Sequence, residues 1–483
     1  MHFFSIQRVF GALLLIFSVT QIPPALLAFF TKDGSTSAFV SAYLITLIMG
    51  LLLWFPVRRR KDELGTREGF LIVALFWVIL ALAGALPLYL APQPHLSVTD
   101  AVFESMSGLT TTGATIMVGI DELPLSIRYY RQQLQWLGGM GIIVLAVAVL
   151  PMLGIGGMQL YKAEIAGPVK NSKLTARITE TAKALWYIYL GLTVLCGVSY
   201  WIAGMTPFDA VCHAFSTVAI GGFSTHDASL GWFDSQAIET VAILFMLVAG
   251  INFSLHFFAL REMSLRPYLA DAEVRAYLFI LSVVVSITVC YLYITDVVAS
   301  WAEAIRLGLF QTISIGTTTG FAITPHHEWP GALPILLLLV AFVGGCAGST
   351  AGGIKVIRAL LLYRQGVREV IKVVHPNAVI VVKVGREVLP TRVIESVWGF
   401  FSVYVAVFVF MYLLLATTEP DLVTAFSAVA ACITNLGPGL GEVGTNFSSV
   451  SEVGKWVLCM AMLLGRLEVF TLLVLFTPTF WRQ

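Results

Sequence analysis

The stretch Gly108-Leu109-Thr110-Thr111-Thr112-Gly113-Ala114-Thr115 is a polar run closed by glycine and set between two long apolar segments. Inside a hydrocarbon layer an irregular backbone survives only where it is buried in protein or lines a watery cavity, so this run is expected to line a path. Three further stretches repeat the plan: Ala219-Ile220-Gly221-Gly222-Phe223, Thr317-Thr318-Thr319-Gly320-Phe321 and Thr434-Asn435-Leu436-Gly437-Pro438. Their glycines Gly113, Gly222, Gly320 and Gly437 stand 109, 98 and 117 residues apart. That spacing is too regular for chance and too long for a solenoid. We read four copies of one unit.

Ahead of each loop stands a helix-start signal of the form Ser/Thr-x-x-Asp/Glu: Ser97 to Asp100, Thr206 to Asp209, Ser300 to Glu303 and Thr418 to Asp421. The acid precedes its glycine by 13, 13, 17 and 16 residues, so the third and fourth helices are expected to be about one turn longer. Roughly ten helical residues rise about 15 Å, half of a hydrocarbon core. Each unit should therefore dip in halfway and stop.

With 58% hydrophobic and 12% charged residues, against roughly 25% charged in an average soluble domain, the chain reads as an integral membrane protein. Its fold class is all-α and polytopic. Apolar segments long enough to cross run at 6–30, 37–57, 69–91, 132–153, 182–204, 237–260, 276–296, 331–363, 393–417 and 453–478, giving ten spans beside the four half-spans. Basic clusters fall at every second joint: Arg58 to Lys61, Lys162 to Lys183, Arg261 to Arg275 and Lys355 to Arg392. By the positive-inside rule this puts both termini in the cytoplasm. The inner face then holds 23 Lys/Arg against 11 Asp/Glu, and the outer face five against 16, an acidic vestibule that would concentrate cations. The alternative is that the outer acids only cap helices and keep loops soluble. The six cysteines lie in apolar stretches without ligand spacing and read as small core residues.

A dehydrated cation needs neutral oxygen dipoles from several sides, and backbone carbonyls supply them. Glycine at the closing position of each loop permits carbonyl directions that other residues resist. The candidate ion-binding residues are Thr110, Thr111, Thr112 and Gly113; Ile220, Gly221 and Gly222; Thr317, Thr318, Thr319 and Gly320; Asn435, Leu436 and Gly437. Only the first and third loops are threonine-rich, so the ring is expected to be pseudo-fourfold.

A second feature is Gly344-Gly345-Cys346-Ala347-Gly348-Ser349-Thr350-Ala351-Gly352-Gly353, in the middle of the long 331–363 segment. Glycine costs roughly 0.8–1 kcal/mol against alanine in a helix, so five within ten residues should break it. A phosphate-binding loop is excluded by the missing Lys-Ser/Thr and the lack of a preceding strand. Close helix packing through small residues is the other reading. A third feature is Arg466 near the middle of the last span, where a charge costs on the order of 2.5–3.5 kcal/mol and usually faces a cavity. A pair with Glu468 is disfavoured, because residues two apart on a helix point to different faces. His326-His327-Glu328 lacks further ligands for a metal, and Gly154-Ile155-Gly156-Gly157 reads as a helix terminus. No catalytic set appears.

These loops, the glycine-rich segment and the ends Gly465 to Phe470 and Phe476 to Trp481 resemble the Trk/Ktr/HKT superfamily of potassium transporters along essentially the whole chain. The resemblance implies four membrane helix–pore helix–membrane helix repeats around one central pore, at 67–165, 166–268, 269–380 and 381–483, after two N-terminal transmembrane helices within 1–66. It implies a potassium filter formed by the four loops, with Gly113 matching the potassium-permeable pattern. The stretch Gly344 to Gly353 would obstruct the pore as a gating loop, with Arg466 projecting beside it. Implied partners are a second copy of the chain, membrane lipid and a cytosolic ring of nucleotide-binding regulatory subunits of the TrkA type; no nucleic acid and no bound cofactor are expected, potassium being the transported ion. The competing class is an alternating-access secondary transporter, since broken helices and a midplane arginine also suit an anionic substrate. Such proteins usually show inverted repeats, whereas these four run parallel.

Overall fold

The computed structural model describes residues 3–59, 66–148, 178–385, 387–419 and 421–481. The end of the expected 132–153 span, Gly154 to Gly157, Arg60-Lys61 and most of the Lys162 to Lys183 linker lie outside the described residues. Among the described residues the regular structure is helical, apart from a two-residue antiparallel ladder of β1 (Lys383–Val384) on β2 (Glu387–Val388).

The first helices are α1 (Phe3–Val19), α2 (Ile22–Thr31) and α3 (Thr36–Trp54). Pro23 and Pro24 sit in the first turn of α2, where a missing N–H costs nothing. Next come α4 (Thr66–Leu90), the short α5 (Val98–Leu109), α6 (Leu125–Ala148), α7 (Ile178–Ile202) and the short α8 (Pro207–Ala219). They are followed by α9 (Gln236–Ala249), α10 (Phe253–Glu262), α11 (Arg266–Ala270), α12 (Ala272–Ile294) and the short α13 (Trp301–Gly316). The remainder is α14 (Leu333–Val343), α15 (Val356–Val374), α16 (Thr391–Leu415), the short α17 (Leu422–Thr434), α18 (Glu452–Arg466), α19 (Phe470–Leu473) and α20 (Pro478–Trp481). Among the described residues six helical segments are long and apolar enough to cross a membrane, and two sharply bent helix pairs qualify when each is taken as one span. Their outward sides carry exposed apolar residues such as Ile16, Leu52, Ile202 and Phe410, as expected of helices solvated by lipid.

The short helices lie in the interior; in α5 every residue from Ala101 to Leu109 is buried. Three of them start where the capping signals stand. The hydroxyls of Ser97, Thr206 and Ser300 accept the N–H groups of Asp100, Asp209 and Glu303 at 3.1, 3.1 and 3.2 Å. The fourth does not: Asp421 is itself the cap, its carboxylate accepting Val423 and Thr424 N–H, while the Thr418 hydroxyl turns back to the Leu415 carbonyl. The fourth helix is therefore 13 residues long, no longer than the second, and only the 16-residue third carries the extra turn.

Two segments read as continuous spans are bent. The 237–260 segment turns by 97° between α9 and α10, because Gly250 ends one helix and Asn252 caps the next, its side chain accepting Ser254 N–H at 2.8 Å. The 453–478 segment turns by 108° after Arg466, with Glu468 and Val469 both at positive φ. The expected break in 331–363 is present, with residues 344–355 outside helix.

Glycine lets the long helices approach the ends of the short ones. A Cβ on Gly138 of α6 would overlap the Leu109 carbonyl, and one on Gly465 of α18 would overlap that of Ile433. Leu109 and Ile433 each stand four residues before their loop glycine, so the two contacts share one register. Gly138→Ala should lower the thermal unfolding midpoint in detergent. Gly366→Ala, at a helical site with nothing within 4 Å, should hold or raise stability by up to about 1 kcal/mol. Equal midpoints for the two variants, read by tryptophan fluorescence, would remove the close-approach argument.

Candidate functional site

All four short helices end in the same turn. Thr112, Gly221, Thr319 and Leu436 N–H groups donate to the carbonyls of Ser107, Ser216, Ser314 and Ala431, each at 2.8 Å. The residues just before them, Thr111, Ile220, Thr318 and Asn435, take left-handed φ values of 49°, 54°, 66° and 55°. This is the Schellman end, in which glycine is usual. Here threonine, isoleucine or asparagine is forced into it, at a cost of about 1–3 kcal/mol each that surrounding packing must offset.

The loops then close on one another. A Cβ on Gly113 would overlap the carbonyl oxygen of Gly221, one on Gly222 that of Thr319, one on Gly320 that of Leu436, and one on Gly437 would lie 2.7 Å from that of Thr112. Every oxygen belongs to the residue before the next loop's glycine, so four carbonyls and four positive-φ glycines form a ring of constant hand. The sequence-predicted residues thus come together. The Thr110 and Thr112 hydroxyls pair at 2.8 Å and those of Thr317 and Thr319 at 2.7 Å, while the Asn435 amide donates to the Thr112 hydroxyl at 2.9 Å. On one side a cavity of about 330 Å³ touches all four loop glycines.

The loop Gly344 to Gly353 lies on the other side, against the second, third and fourth short helices or their loops. Thr350 Oγ1 donates to the Val218 carbonyl at 3.0 Å, Gly352 N–H to Thr318 Oγ1 at 2.7 Å and Gly353 N–H to the Thr434 carbonyl at 2.9 Å. The Arg466 guanidinium completes the set, donating to Thr111 Oγ1 and to the Thr350 and Ala351 carbonyls. Arg466 is buried, and it stands at the end of α18 where the chain bends, not within a continuous helix as the sequence implied. Glu468 pairs instead with Arg358 at 2.7 Å.

Several residues that hold the loops were not singled out from sequence. Nine residues before the glycine of the first three loops stand Glu104, His213 and Gln311. The Glu104 carboxylate accepts the Thr115 hydroxyl and Ile116 N–H; His213 Nε2 meets Ser224 Oγ at 2.9 Å; Gln311 Oε1 accepts Ile323 N–H at 3.1 Å. In the fourth loop Ser427 takes this part by bonding Leu440. Arg131 is fully buried: it bonds Glu104 at 2.7 Å, the Thr115 hydroxyl and the Ser224 carbonyl. Gln135 clasps Gly221 O and Phe223 N–H. The available signal was a polar residue at one register of otherwise apolar half-helices. Asp121, one of the acids assigned to the acidic face, is committed to His226 Nδ1 and Asp227 N–H. Among the described residues no cluster of three or more His, Cys, Asp or Glu suited to a metal is present.

A bundle of apolar helices that brings four helix ends and their carbonyls to one buried ring belongs with the membrane transport proteins. Residues 35–483 match the family model described as TrkH, Cation transport protein. The chain belongs to that family, whose members are transporters and not enzymes. It is 57% identical to "Trk system potassium uptake protein TrkH" of Vibrio parahaemolyticus serotype O3:K6 and 53% identical to the protein of that name from Escherichia coli K12, covering 100% of each chain in both cases. The crystal structure of the potassium transporter TrkH from Vibrio parahaemolyticus superposes with a TM-score of 0.93 over 100% of both chains at 55% identity.

At the rim of that cavity the His226 ring stacks on Trp232 with centroids 3.8 Å apart, and its Nε2 stands 3.5 Å from Asp209. Burial alone would push its pKa down, but Asp209 and Asp121 outweigh burial and hold it above the ordinary value of 6.5. A raised histidine pKa stabilises the fold fully below the unfolded value and loses that contribution as pH rises through the folded value. Thermal stability should therefore decline from about pH 6.5 upward, and His226→Gln should flatten that decline. Parallel slopes from pH 6 to 9 for wild type and variant would contradict it.

Proposed function

We propose that this chain takes up potassium across the bacterial inner membrane through one channel-like pore. The supporting observation is the closed ring of carbonyls at 112, 221, 319 and 436, each abutting the next loop's glycine. Four helix C-termini aim partial negative charge at that ring, and its oxygens offer neutral dipoles, the two things that replace a potassium ion's water. Thr110 to Gly113, Ile220 to Gly222, Thr317 to Gly320 and Asn435 to Gly437 form the filter on this reading. The stretch Gly344 to Gly353 is the gate, with Arg466 adding a positive charge that opposes cation passage while the loop stays in place.

The repeats then run 67–165, 166–268, 269–380 and 381–483, preceded by two transmembrane helices within 1–66, with both termini cytoplasmic. The same hand at every ring contact favours parallel repeats over the inverted repeats usual in alternating access. The relatives are named for a Trk system, and the basic inner segment Lys355 to Arg392 suits docking of a cytosolic TrkA-type nucleotide-binding ring, with two copies of this chain forming a homodimer in lipid. Flux through the purified chain in liposomes, with and without a sodium or proton gradient, separates a passive pore from ion-coupled symport.

Two variants test the assignments. Gly113→Ser places a Cβ on the Gly221 carbonyl and should raise sodium permeation relative to potassium; an unchanged permeability ratio in bi-ionic flux would mean the filter lies elsewhere. Arg466→Ala should raise partner-independent potassium flux, because weak screening at the midplane makes the lost charge count. A normally eluting Arg466→Ala protein with flux at or below wild type would overturn the gate.

A further inference from the structure

The tip of the loop 344–353 touches the short helices, but its two ends are held from elsewhere. Glu273, in the first turn of α12, is 94% buried (6% exposed) and belongs to none of the features above. Its Oε1 accepts Ala347 N–H at 2.7 Å and Ile357 N–H at 3.1 Å. One oxygen therefore ties the loop's entering strand to the first turn of α15, ten residues further on. Lys355, at the start of α15, provides no side-chain cap. The first N–H groups of a helix need acceptors, and a carboxylate there is further favoured by the helix dipole. Glu273 thus caps α15 from another helix while gripping the loop that precedes it.

Two further ties of the loop are backbone to backbone: Cys346 N–H to the Gly250 carbonyl at 2.9 Å, and Phe253 N–H to the Gly348 carbonyl at 3.1 Å. These come from the bend between α9 and α10. Bonds to a charged acceptor are roughly twice as strong as neutral ones, so the carboxylate dominates this set.

We propose that Glu273 is the positioning residue that pins the glycine-rich loop beneath the carbonyl ring, a latch whose release frees the loop. Its effect on flux rests on the gating reading of Gly344 to Gly353; its effect on the loop does not. Glu273 reaches the loop through the Ala347 N–H and α15 through the Ile357 N–H.

Cys346 makes the latch measurable, because it lies in the loop and is fully buried. The experiment labels the full-length protein in liposomes with a small thiol reagent, reads Cys346 by peptide mass spectrometry, and measures partner-free potassium flux alongside. Glu273→Ala should speed Cys346 labelling on the order of tenfold, the factor expected when the loop itself loses its hydrogen bond from Ala347 N–H to a charged acceptor. Glu273→Gln keeps an oxygen at the same reach and should fall between wild type and Glu273→Ala, a rescue that general destabilisation would not produce. Flux should rise in the same order. Faster labelling with unchanged flux would support the latch and overturn the gating reading. Unchanged labelling in a normally eluting Glu273→Ala protein would overturn the latch. Should that variant not fold, Glu273→Asp, which keeps the charge but loses the reach to one N–H, is read by the same criterion.

Discussion

Four helices end at one point inside a layer that offers no water, and this is the constraint on which the rest of the structure depends. A helix terminus leaves carbonyls without partners, and each one unsatisfied in low dielectric costs free energy. The Schellman turns at Thr112, Gly221, Thr319 and Leu436 answer part of the demand. Two further carbonyls are met by donors from the glycine-rich loop: Thr350 Oγ1 on the Val218 carbonyl, and Gly353 N–H on that of Thr434. Convergent helix C-termini therefore call for either a cation or a donor-rich piece of protein. On the permeation reading the glycine-rich loop and Arg466 occupy the electrostatic role that a passing ion takes over.

The spacing of the four glycines, three of the four capping signals and the broken 331–363 segment were legible in the sequence because each rests on local backbone chemistry. Glycine at positive φ and a hydroxyl at a helix start act within a few residues. The Asp421 start was misread since Thr418 and Asp421 are both good caps, and only the Thr418 hydroxyl's turn to Leu415 decides between them. The bend at Gly250 to Asn252 left a mark, one glycine and one asparagine, that an apolar segment of that length outweighed. The bend at Glu468 and Val469 left none, for neither residue favours positive φ; it is imposed by Arg358 on Glu468 and by the contacts of Arg466. Long-range pairs such as Arg131 with Glu104 stay hidden because 27 residues separate them and nothing local joins them.

The ring is more regular in backbone than in the side chains that support it. Behind the first loop stands a buried ion pair, behind the second a histidine, behind the third a glutamine and behind the fourth a serine. A buried pair is costly to break, since removing one partner leaves an uncompensated charge, whereas a serine bonded to one backbone unit yields more easily. The loops therefore differ in rigidity while sharing φ values within 17° at their left-handed residues. On the permeation reading, such asymmetry permits uneven relaxation around an ion, and a ring that relaxes on one side discriminates less sharply by size than four identical walls.

The chemistry of the glycine-rich loop bears on how it could move. Its apolar side chains are small, Cys346, Ala347 and Ala351, and Gly344, Gly348 and Gly353 hold positive φ. A Cβ on Gly352 would overlap the Thr434 carbonyl, so a larger residue there could not seat the loop against the short helices. What keeps it in place is a set of hydrogen bonds, each with a net worth of about 0.5–1.5 kcal/mol, or about 1.5–3 where a charged group takes part. A plug of large apolar side chains would resist removal through buried area, in increments of about 1.5–3 kcal/mol per residue with no polar partner to take over. Hydrogen bonds can be exchanged one for another, with water or with new acceptors, at little net change. On the gating reading, a loop held this way can be firm against thermal opening and still be displaced by the few kcal/mol that docking of a partner can deliver.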